Sequence, residues 1–117
     1  LLAEIAVLAM EGVTDAYHNE IGTHLRHSIL SFSPEDPITI KDAADIEKAA
    51  IQYYEDDYQI LAAVHTDEPH LHIHFVMNTT NYRDGSKYKG RKQDFYAFQQ
   101  HLKSILKPYG LSVNLQP

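Results

Sequence analysis

Apolar residues recur along the chain with two periods, and the switches between them mark out the elements. Leu1, Ile5, Leu8 and Ala9 fall on one side at helical spacing, so residues 1 to about 18 read as a helix packed on a sheet, with Gly12 a weak interior point. After Gly22, the segment His27-Ser28-Ile29-Leu30-Ser31-Phe32 reads as a strand, stopped by Pro34 and Pro37. Thr39 caps a second amphipathic helix that carries Ala43, Ile46 and Ala50 inward and runs to about Tyr54. Tyr58 to His65 is an apolar strand, TDEP a turn, and His70 to Thr79 a strand with clear period-two alternation. A polar excursion holding the turn signal Asp84-Gly85 follows. Phe95, Phe98, Leu102, Ile105 and Leu106 then mark a third helix ending near Pro108, and Leu111 to Leu115 a short last strand. This order predicts an α+β fold, a mainly antiparallel sheet with helices packed on one face. No repeat or linker divides the 117 residues, which read as a single domain.

The strand beginning at His70 carries the chemistry. Successive strand side chains alternate in facing, so His70, His72 and His74 share one face while Leu71, Ile73 and Phe75 share the other. If the TDEP turn closes a hairpin with residue 65 opposite 70, His65 joins the same face. Neutral imidazole is a good ligand for Zn, Mn, Fe, Ni or Cu, and three of them leave coordination positions open to substrate oxygens. A His-rich solvated strand is the competing reading, and four co-facing imidazoles weigh against it. Ideal hairpin register puts His65 nearest His70 and His72 and leaves His74 farther away, so spacing alone leaves open which three bind. Asp67 and Glu68 lie in the turn, where either can orient a ligand histidine through its second nitrogen.

Composition narrows the chemistry. The chain has no Cys, so disulfides and thiolate sites are excluded and a transition-metal site must use His, Asp or Glu. No apolar run reaches the roughly 20 residues of a membrane span, and LLAEIAVLAM lacks the basic flank of a signal peptide, so a cytoplasmic protein is expected. A formal charge of −6 argues against indiscriminate nucleic-acid binding by the whole surface and leaves room for a local basic site. The chain begins at Leu1 inside an apolar helical pattern, and a fragment lacking its N-terminal segment is expected.

With these residues placed, HTDEPHLHIHFVMN resembles the metal motif of conjugative relaxases, the bacterial mobilisation nucleases of the HUH endonuclease superfamily, whose pattern is approximately H-x-D-x-x-H-x-H-x-H-x-x-x-N. His65, Asp67, His70, His72, His74 and Asn78 fill it, and HSILSFSPED before it and NYRDGSKY and GLSV after it are similar to the flanking segments, covering roughly residues 25 to 113. The resemblance implies an HUH-endonuclease-like fold whose N-terminal strand is missing from this chain, and a metal triad of His65, His72 and His74. His70, Asp67 and Asn78 become auxiliary or supporting residues. It implies a divalent ion, Mg or Mn, with Zn or Ni also suited to imidazole. It further implies a DNA strand-transferase that nicks single-stranded origin-of-transfer DNA through a phosphotyrosine in plasmid mobilisation, with accessory relaxosome proteins as possible partners. A non-catalytic metal- and DNA-binding module, or a replication or transposition nuclease of the same superfamily, is the alternative.

The family's nucleophilic tyrosine lies ahead of the first helix, upstream of Leu1 by this alignment. Tyr17, in DAYHNE, is the one tyrosine on the N-terminal side and the sole candidate within the chain. Between Asn81 and Lys92, the cations Arg83, Lys87, Lys89, Arg91 and Lys92 stand against the single acid Asp84, with Tyr82 and Tyr88 interleaved. Cations that follow phosphates and aromatics that stack on unpaired bases suit single-stranded DNA, though a solvated loop has the same composition. Ser31 is a further candidate phosphate contact.

Overall fold

The fold is given by a computed structural model that describes residues 2–66 and 70–117. Strands β1 (Leu25–Ser31), β2 (Tyr58–His65), β3 (His72–Asn81) and β4 (Leu115–Gln116) form one sheet in the order β2-β3-β1-β4, every neighbouring pair antiparallel. Helices α1 (Leu2–Ala16), α2 (Ile40–Ile51) and α3 (Lys92–Leu106) are interspersed as the periodicity predicts, so the α+β class and antiparallel sheet stand.

Alternation sorts the sheet into two unlike faces. Leu30, Ile73, Phe75 and Leu115 point to one side and are buried against Ile46 and Ala50 of α2 and Phe98, Leu102 and Leu106 of α3. Thr39 starts α2 with a capping box, its hydroxyl accepting from Asp42 N while the Asp42 carboxylate accepts from Thr39 N. Gly110 (φ 70°), in the left-handed region, ends the 3-10 turn Lys107–Tyr109 that follows α3.

Helix α1 departs from the expectation of helices on one face. Asn78, on the histidine side of β3, donates to Met10 O at 2.9 Å, and Thr14 donates to Asn78 Oδ1 at 3.2 Å, so α1 lies across the face opposite α2 and α3. The helix buries Met10 and Thr14, whereas Ile5 and Leu8, read as its packing side, are 54% and 66% exposed; Leu1 lies outside the described residues. Met10 and Thr14 on this side of the helix meet the buried Asn78, whose amide also bonds Gln59 and Thr80.

Two strand ends also move. Residues 111–114 are not strand: Leu111 and Val113 pack on the core, Ser31 N donates to Asn114 O, and ladder pairing is confined to Leu115 and Gln116. The β2–β3 register pairs His65 with His72, not with His70. The displacement is two residues, so facing is preserved and His65 stays with the others.

Candidate metal centre and nucleic-acid interface

Three strands deliver imidazoles to one patch. His65 lies directly across from His72, His74 faces Ala63 on one side and Ile29 on the other, and Ser31 of β1 pairs with His72. The His65 and His74 rings stack with centroids 3.8 Å apart, His72 is 6.2 Å from His74, and His70, just ahead of the strand, is 4.5 Å from His72. Thus the structure brings His65, His70, His72 and His74 together, with His74 nearer to His65 than the tight-hairpin register predicts.

A fifth histidine belongs here that the motif does not contain. His27 of β1 stacks on His74 at 5.3 Å, with its Nε2 3.2 Å from His74 Nδ1. The signal was the antiparallel diagonal: His27 pairs with Val76, two residues along from His74 on the same face, and only knowledge that β1 lies beside β3 reveals it.

The donor set suits a borderline transition ion, and one observation supports the fit. Among the described residues, His72 Nε2 and His70 Nδ1 are buried without a hydrogen-bond partner, a state that protein interiors rarely leave uncompensated. The His74 ring lies nearly parallel to those of His65 and His72, at 22° to each, and among the described residues no three ligand-type side chains already converge on one point. The imidazoles are therefore adjacent and of the right kind, and holding an ion requires side-chain rotation about fixed strand positions. Asp67 lies outside the described residues. Asn78 shares the histidine face but spends its amide on Met10, Thr14, Gln59 and Thr80.

The tyrosines sit elsewhere. Tyr17, at the end of α1, donates to Tyr82 O at 3.1 Å and packs on Gly85, where φ is +77° and an added Cβ would come within 2.2 Å of the ring. Tyr82 is at the far end of β3 from His72, so Tyr17 and the histidines are not brought together. Tyr53, Tyr54, Tyr58 and Tyr88 cluster about α2 and the loop after β3, with Tyr54 and Tyr88 hydroxyls 2.9 Å apart. Burial pushes the Tyr54 phenol far up, and raises Tyr58 and Tyr88 as well, which keeps all three protonated. Tyr96 is exposed on α3 and Tyr109 packs against the core.

The basic segment divides into two. Arg83 binds back to Asp56 O and Asp57, and Lys87 Nζ donates to Ile21 O at 2.6 Å, so both anchor their loop. Tyr82 likewise donates to Glu55 O. Lys89, Arg91 and Lys92 are exposed. Arg26 Nη2 donates to Lys89 O at 3.0 Å from the helix-covered face of β1, so these cations flank the sheet on the side away from the histidines. Ser31, by contrast, lines a cavity of about 400 Å³ with His70, Ser33, Asp36 and Asn114.

Comparison with known proteins bears on what this arrangement is for. The family described as "Relaxase: MobA/VirD2-like, nuclease domain" matches residues 2–111. Protein rlx of Staphylococcus aureus is 30% identical over 97 residues, 83% of this chain and 30% of that protein. The group II intron-interrupted relaxase LtrB of Lactococcus lactis subsp. cremoris is 33% identical over 63 residues, 53% of this chain and 11% of its own length. The chain thus spans less than a third of these relatives. No solved structure matches.

Proposed function

From the premise that the chain belongs to the MobA/VirD2-like relaxase nuclease-domain family, we propose that it carries the metal-binding part of a relaxase that nicks single-stranded DNA at a transfer origin during conjugative mobilisation. The observation that carries this reading is the pairing of His65 with His72 beside His74, with the His72 Nε2 buried and unpartnered among the described residues. His65, His72 and His74 hold the ion, and His70 borders it. Three neutral imidazoles leave a divalent ion its full charge, which when bound offsets the negative charge that builds on a phosphate during transfer. Mn suits nitrogen ligands better than Mg, which prefers oxygen, and Zn or Ni fits the same donors.

In the reaction a tyrosine oxygen forms a bond to the scissile phosphorus, the bond to the 3′-oxygen breaks, and that oxygen leaves to become a free 3′-hydroxyl. The DNA 5′ end remains on the tyrosine. Tyr17 is held against Tyr82 and Gly85 away from the histidines, so the attacking group is a different tyrosine of the full-length protein. The test is incubation of the full-length protein with single-stranded origin DNA and Mn, followed by isolation of the covalent adduct. Tyr17→Phe, which removes only one exposed hydrogen bond, is expected to leave adduct yield unchanged. Loss of the adduct in that variant would reassign the nucleophile to Tyr17, and absence of any adduct with the wild type favours the non-catalytic metal- and DNA-binding module.

His27 supports the site from outside. Its Nε2 meets His74 Nδ1 at 3.2 Å, the kind of contact by which a neighbouring group orients the ring of a ligating histidine. His27→Ala is expected to weaken Mn binding by about 10- to 100-fold, as removal of such partners does. Calorimetric titration with Mn measures it, and an unchanged affinity would strip His27 of this role.

A further inference from the structure

On the side of the sheet away from the histidines, α3, β1 and the loop after β3 enclose a cavity of about 540 Å³, within the range of small-molecule sites. Its lining includes Tyr88, Phe95 and Tyr96 together with Arg26 and the exposed Arg91 and Lys92. No carboxylate lines it among the described residues, in a chain whose net charge is −6. Asp94, in the first turn of α3, is turned to the backbone, its carboxylate accepting from Arg91 N at 2.9 Å. Ser28 and Gln99 add polar groups to an otherwise apolar lining.

We propose that this cavity takes one unpaired base of the DNA strand, with the adjoining phosphates on Arg91 and Lys92. Aromatic walls offer faces to a base of any identity, the exposed cations suit its phosphates, and the Gln99 amide can meet a base edge. His27 links the two sites: its ring lies against His74, and it also belongs to the cavity lining. Ladder pairing of β1 with β4 is confined to Ile29 and Leu30, so β4 does not pair with residues 25–28. The inference rests on the reading of the chain as a binder of single-stranded DNA.

The test uses an oligothymidylate with 5-iodouracil in place of thymine, longer than the ~4–16 nucleotides that single-strand-binding folds engage. After irradiation, adducts are mapped on the full-length protein by mass spectrometry. Adducts on Tyr88, Phe95 or Tyr96, suppressed by unlabelled oligonucleotide but not by inorganic phosphate, are expected. Adducts confined to other segments would overturn the cavity as a base site and leave single-strand binding intact. Failure of the protein to retain the oligonucleotide would instead defeat the underlying reading, and the cavity proposal with it. Tyr96 is 62% exposed, so Tyr96→Ala keeps the core, and it is expected to weaken oligonucleotide binding by about 5- to 150-fold, the effect of losing one base stack. Wild-type affinity in that variant counts against the proposal.

Discussion

His72→Ala is expected to lose Mn binding and to slow nicking by the full-length protein by about a thousandfold or more, while the fold persists. His72 stands directly opposite His65 on β2 and is separated from His74 by one core residue, Ile73. Removing it takes away one of the three proposed ligands and leaves His65 and His74 as a pair. An ion that polarises a phosphoryl oxygen is worth several kcal/mol of transition-state stabilisation, and each ~1.4 kcal/mol is a factor of ten in rate. The fold survives because the deleted group leaves no hydrogen bond behind: His72 Nε2 has no partner to abandon among the described residues. Calorimetry with Mn, a nicking assay on single-stranded origin DNA and a thermal melt together check this. Full nicking by the variant would remove the histidines from the chemistry altogether.

Asn78→Leu should do the opposite, costing stability and sparing the metal. Asn78 is fully buried and satisfies Met10 O, the Thr14 hydroxyl, Gln59 Oε1 and Thr80 N. Leucine cannot meet any of them; the Thr14 hydroxyl and Met10 O still bond each other, but Gln59 Oε1 and Thr80 N lose their partner, and at about 1–3 kcal/mol for each the loss is about 2–6 kcal/mol. Urea denaturation reads this directly. Asn78 lies four residues from His74, about 13 Å along a strand, and sites that far apart perturb stability and binding nearly independently. Mn affinity of the folded variant is therefore expected to match the wild type. A variant that keeps its stability but loses Mn would place Asn78 in the metal site as an auxiliary residue and not in the joint between α1 and the sheet.

The histidine face was legible because strand periodicity is strict. Alternation from His70 to Thr79 assigns every side chain to a face whatever the register, so a two-residue error in the hairpin left the cluster intact. Helices α2 and α3 were legible for a similar reason, with Ala43, Ile46, Ala50, Phe98, Leu102 and Leu106 buried as their spacing requires. Helix α1 misled because the side it presents to the sheet, with Met10 and Thr14, is met by Asn78 on β3, a long-range contact that its own apolar spacing does not encode. His27 and the aromatic cavity were invisible for a topological reason. Both depend on β1 lying beside β3 with α3 over it, and strand order is a property of the whole chain. The basic segment shows the limit of composition: it groups Arg83 and Lys87 with Lys89, Arg91 and Lys92, although the first two are tied to Asp56, Asp57 and Ile21.

The placement of Lys89, Arg91 and Lys92 across the sheet from His72 and His74 also bears on polymer stiffness. A strand that touches both sides has to turn back within the thickness of one sheet. Duplex DNA, with a persistence length of about 50 nm, resists bending on that scale. A single strand bends freely at each nucleotide. Selectivity for melted over paired DNA would then need no reading of sequence, since only a flexible polymer can follow the path between the two faces.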